Sequence, residues 1–188
     1  MRHALAGVVL AAIAATRGIN IHAQEGSGAV RPENPGIRAL IATGMKRSAT
    51  FRDLNSRLDR SDVIVYVRSS RCPGRVGACL AWASAGGGVR RLLVTLDAFG
   101  RSPDELTALL AHELQHANEV AATLDITDLA SFQRSFEFRG WKHGSGFETG
   151  EAIDITRTVA GELARPLRAR DDDAAVRERD GFSGGRVP

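Results

Sequence analysis

The stretch Ser102-Pro103-Asp104-Glu105 constrains this 188-residue chain more than any other. Serine at a helix cap, proline at the first helical position and glutamate three residues after the cap together form a capping box. The pattern predicts a helix from Pro103 to about Leu124, directly after a β-branched run, with His112-Glu113-Leu114-Gln115-His116 well inside it. On a helix that advances about 100° per residue, with His112 at zero, His116 falls at about 40° and Glu119 at about −20°. Both imidazoles therefore share one side and can share one ion.

Leu106, Leu109, Leu110, Ala117, Val120, Ala121 and Leu124 fall between about 60° and 180° on the same wheel, and Glu113 falls among them at about 100°. A bystander carboxylate would sit opposite, with Gln115 and Asn118, because burying a charge without a partner is costly. His-Glu-x-x-His is the spacing in which two imidazoles one turn apart bind zinc and the glutamate acts as general base. Catalytic zinc takes a third protein ligand. A second wheel, on a helix expected from Glu148 to about Leu167, places Glu148 on the face of Ala152, Ile155, Val159 and Leu163, with Glu151 near its edge. Glu148 is the candidate third ligand and Glu151 the reserve. Glu119 lies about 10.5 Å along the axis from His112, too far for an easy third ligand on a straight helix, and suits either an orienting role or a solvated position.

The first 23 residues read as a secretory signal: Arg2, a short apolar run from Leu5 to Ala15, and small Ala23 as the last residue before cleavage. The run is short for a bilayer span, so an exported protein, periplasmic or secreted, with no membrane attachment after cleavage is expected. Cleavage removes Arg2 and Arg17 and no acid, leaving charges nearly balanced. The basic residues, all arginine but Lys46 and Lys142, are spread along the chain without a basic stripe, which argues against a nucleic-acid partner. In an oxidising compartment Cys72 and Cys79 suit a disulfide.

Residues 24–35 read as a flexible leader, 36–167 as one domain, and 168–188, with its Asp171-Asp172-Asp173 run, as a disordered tail. Hydrophobic spacing predicts one broken or two short helices from Ile37 to Leu58, with the break near Gly44. Strands are expected at 62–68, 79–85 and 89–97, a short helix at 128–138, and a loop at 140–146. Short connections between the strands predict a largely antiparallel sheet in an α+β fold.

Two histidines from one helix and a glutamate from a later helix resemble the gluzincin group of zinc metallopeptidases. The resemblance rests on His112-Glu113-Leu114-Gln115-His116 and on Phe147-Glu148-Thr149-Gly150-Glu151-Ala152, and extends over Val63 to Leu163 as an order of elements. It implies a minimal zincin-like domain, with a small sheet packed on the His-Glu-x-x-His helix and a final Glu-bearing helix. It further implies zinc held by His112, His116 and Glu148, with Glu113 as the catalytic base acting on a peptide or protein substrate. The strand at 89–97 would offer an edge to that peptide. Gluzincins often carry an acid four positions after the ligand glutamate, where this chain has Ala152. An exported binding or scaffold module with a structural or relic metal site is the rival reading.

Overall fold

The computed structural model describes residues 8–9, 28–143 and 146–166. The expected signal, except for Val8–Val9, and the expected tail, 168–188, lie outside the described residues. The fold is α+β. Among the described residues no helix is long and apolar enough to cross a membrane.

In chain order the strands are β1 (Val8–Val9), β2 (Val30–Pro32), β3 (Val63–Ser69), β4 (Ala78–Gly86), β5 (Val89–Leu96), β6 (Trp141–His143) and β7 (Gly146–Glu148). The helices are α1 (Pro35–Arg47), α2 (Ala49–Asp59), α3 (Pro103–Ala121), α4 (Leu129–Arg139) and α5 (Gly150–Leu163).

The main sheet has the order β2-β3-β5-β4, and β1-β7-β6 form a smaller one. β3 runs parallel to both β2 and β5, and only β4 is antiparallel to its neighbour. The main sheet is thus mixed, not largely antiparallel. Short connections favour antiparallel neighbours, but the chain leaves a one-strand gap between β3 and β4. β5 returns through the tight turn at Gly87 and Gly88, with φ of 61° and 74°, and fills that gap. β5 is therefore paired on both sides and offers no edge to a peptide; the outer strands of this sheet are β2 and β4.

Strand alternation puts Val63, Val65 and Val67 of β3 on one face with Leu92 and Val94 of β5 and Leu80 of β4, all buried against α3. On the other side α1, α2 and α5 also pack on α3. Every residue of α3 from Leu106 to Asn118 is buried, Gln115 and Asn118 included. These two were expected to face solvent, but a helix enclosed by a sheet and three helices has no solvent side. Asn118 meets its burial by donating to Leu54 O and Leu114 O.

Long-range polar contacts hold the frame. Buried Arg90 of β5 donates to Asp62 at 2.6 and 2.7 Å and to Val120 O and Thr123 O, each at 2.7 Å, so that it caps the C-terminus of α3. At the far end of α5, Arg47 donates to Leu163 O, while Glu162 accepts from Ser48 and Thr50 at the start of α2. The break between α1 and α2 lies at Ser48, which caps α2, and not at Gly44. Gly44 instead admits the Phe51 ring, which a Cβ would meet at 2.7 Å. Cys72 and Cys79 form a disulfide with Cα atoms 6.1 Å apart, around a one-turn 3-10 segment.

The ordered chain also starts earlier than composition suggested. Within 24–35, Val30–Pro32 joins the sheet and Ala29 N donates to Asp59 at 2.8 Å. Asn34 caps α1 with Pro35 at its first turn, a helix start concealed in a Pro/Gly-rich stretch.

Candidate metal centre

The capping box at Ser102 is formed as expected, and α3 carries both imidazoles into the interior. His112 is 2% exposed and His116 fully buried. Glu148 arrives by a different route from the one expected. It is the last residue of β7, not the first turn of α5, which Thr149 caps. Within the segment read as a loop over 140–146, Trp141–His143 forms β6, which pairs antiparallel with β7 so that Trp141 lies opposite Glu148. Gly140 is required there, because a Cβ would lie 2.5 Å from the Glu148 carbonyl oxygen.

His112, His116 and Glu148 each offer a ligand atom within 4.8 Å of the others, a group that could hold a metal ion. Glu151 does not join them; it is exposed in the first turn of α5. Tyr66, another conceivable polar participant, faces away from α3 on the opposite sheet face. Its hydroxyl accepts from Arg31 at 3.4 Å. The His143 side chain lies outside the described residues.

Hydrogen bonding settles what the rings present. Thr156 Oγ1 spends its proton on Ala152 O at 2.8 Å, so at 2.8 Å from His112 Nδ1 it must accept. Glu119 Oε2, 2.9 Å from His116 Nδ1, can only accept when ionised. Both neutral rings therefore carry their proton on Nδ1. Their Nε2 lone pairs face each other at 3.1 Å, and Glu148 Oε2 lies 3.3 Å from His112 Nε2. Burial holds the His112 pKa below its ordinary value, although Glu148 pulls the other way. Three electron-pair donors converging without a proton between them fit a cation.

Glu113 is fully buried and neither of its oxygens has a hydrogen-bond partner; Glu148 Oε1 is likewise unpaired. Burial, together with the charges of Glu148 and Glu119, raises the Glu113 pKa well above the ordinary carboxylate range. Burial also raises that of Glu119, but bonds from His116, Thr149 and Gln115 outweigh it and leave the pKa low. The His116 ring meets Phe136 edge-on at 5.3 Å, and Phe136 continues to Phe132 and Trp82, so one wall of the site is aromatic.

Two contributors escaped the sequence reading. Thr149 was signalled by its place as a small hydroxyl before Gly150-Glu151, a helix cap. Thr156 was signalled as the polar interruption in the apolar face of α5. No protein-family model matches the chain, and neither a curated protein nor a solved structure matches it.

Proposed function

We propose that this chain is an exported zinc-dependent hydrolase acting on peptides. The observation that carries the reading is the convergence of two imidazole lone pairs and the Glu148 carboxylate beside the buried, unpartnered Glu113. The nitrogen-rich donor set, with a single carboxylate, suits zinc better than calcium or magnesium. Zinc bound there would supply a Lewis acid that polarises a carbonyl and acidifies a water.

The chain's own residues then have defined tasks. Glu113, buried without a hydrogen-bond partner, would take a proton from the attacking water and return it to the leaving amine. Phe136 restricts water on the His116 side. The Cys72–Cys79 disulfide agrees with an oxidising compartment, and the apolar segment from Leu5 to Ala15 with export.

The decisive experiment combines metal analysis of the purified protein with hydrolysis of a broad peptide library, with and without chelator. Stoichiometric zinc and chelator-sensitive turnover that Glu113→Gln abolishes are expected. Zinc without such turnover would leave the second reading, a metal-stabilised binding module. Ala152, fully buried where gluzincins often carry an acid, favours that second reading.

A further inference from the structure

We propose that Glu119 is a positioning residue that sets both halves of the metal site through its two carboxylate oxygens. The proposal rests on the metal-binding reading above and assigns control of the ligand geometry to a residue outside the ligand group.

Glu119 Oε2 accepts from His116 Nδ1 at 2.9 Å, and Oε1 accepts from Thr149 Oγ1 at 2.8 Å. The first bond fixes the proton on Nδ1 and leaves Nε2 free to ligate. The second reaches the residue that directly follows Glu148. Thr149 Oγ1 also accepts from Ala152 N at 3.3 Å, as the cap of α5. One hydroxyl thus ends β7, starts α5 and is held to α3, which defines where Glu148 stands relative to His116. Gln115 Nε2 reaches the same Oε1 only at 3.4 Å and adds little direction.

The chemistry demands an acceptor at both oxygens. A carboxylate provides this in either orientation. Glutamine provides it in one orientation only: its oxygen must face His116 and its amide must face the Thr149 oxygen, which then has to send its own proton elsewhere. With no group at 119 the His116 ring is free to carry its proton on Nε2, which cannot ligate. The capping hydroxyl of Thr149 is then free to turn, and Glu148 loses its reference to α3.

The test uses the full chain and measures zinc affinity by competition with a chromophoric chelator for wild type, Glu119→Ala, Glu119→Gln, Thr149→Val and the Glu119→Ala/Thr149→Val pair. Imidazole nitrogen NMR reports the His116 tautomer, and circular dichroism in chelator reports the fold. Glu119→Ala should weaken zinc binding about 10- to 100-fold and abolish the preference for Nδ1–H, with the fold retained. Glu119→Gln should recover part of the affinity. The pair should lose less zinc affinity than the two single losses summed, because the Glu119–Thr149 bond is shared and is lost only once, whereas Thr149→Val also removes the cap of α5. Wild-type zinc affinity in Glu119→Ala, or effects that simply add in the pair, would overturn the proposal. Should Glu119→Ala fail to fold, the comparison of Glu119→Gln with Thr149→Val replaces it, and equal affinity to wild type in both is the overturning result. A wild-type chain that binds no zinc removes the metal reading itself and this proposal with it. Zinc on wild type with unaffected variants removes only the role of Glu119.

Discussion

His112 and His116 hold their Nε2 atoms 3.1 Å apart while Thr156 and Glu119 keep the ring protons on the opposite nitrogens. Two lone pairs aimed at one buried point are best satisfied by a shared cation, so binding of zinc favours the folded chain. Zinc should therefore raise the melting temperature. A thousandfold excess of free zinc over Kd corresponds to about 4 kcal/mol. His116→Ala should remove the increment, as read by scanning calorimetry with and without chelator.

Thr156→Val keeps the shape of the side chain and deletes the acceptor for the His112 ring. The ring then loses its preferred tautomer. Zinc affinity should fall about tenfold or more, measured by chelator competition, and Thr156→Ser should restore it. Unchanged affinity in the valine variant would show that the ring is oriented by packing alone.

Gly140→Ala forces a methyl group toward the backbone oxygen of Glu148. The hairpin must shift, and the shift moves a ligand. Overpacking of this kind costs about 1–3 kcal/mol, and zinc affinity should fall as well. Gly161→Ala is the matched control, because a Cβ there meets nothing within 4 Å; it should leave zinc binding unchanged.

The Arg90 hydrogen bond, ahead of the counteracting effect of burial, holds Asp62 below its ordinary pKa of 3.8. A group with a depressed folded pKa contributes stability that is present above the unfolded pKa and lost as pH falls through the folded one. Asp62→Asn should therefore melt below wild type at pH 7, and the two curves should converge as pH drops below about 3.8. Because the Asp62 side chain is 41% exposed, the gap should shrink in high salt. Melts from pH 2 to 8 at two salt concentrations check this.

α3 was legible because Ser102, Pro103 and Glu105 are local signals, and the buried place of Glu113 followed from its position among leucines. Glu148 was chosen correctly for inspection but on a mistaken basis. The wheel assumed it was helical, whereas it ends a strand whose partner lies in a glycine-rich stretch that looked like a loop. β-pairing in so short a hairpin depends on Gly140 meeting the Glu148 carbonyl, a contact invisible in one-dimensional spacing. The same limit explains the sheet. β3 and β5 were visible in their β-branched residues and β4 more weakly, but their order depends on β5 entering between β3 and β4. Gln115 and Asn118 were misplaced because a wheel knows one packing surface and α3 has several. Glu119 read as either an orienting or a solvated group from sequence; its bond to Thr149, which spans 30 residues, is visible only in three dimensions.

α5 bears on the order in which the protein matures. Its far end is held to α1 and α2 by contacts that span 116 and 114 residues, and its near end follows Glu148. During synthesis from the N-terminus, both histidines leave the ribosome well before the segment that fixes the glutamate. A nascent chain stopped short of Leu163 carries two imidazoles but has no docked α5 to steady their third partner. The three residues that could hold a metal ion are thus brought together only when the last helix closes over the first two, once the whole domain has been made.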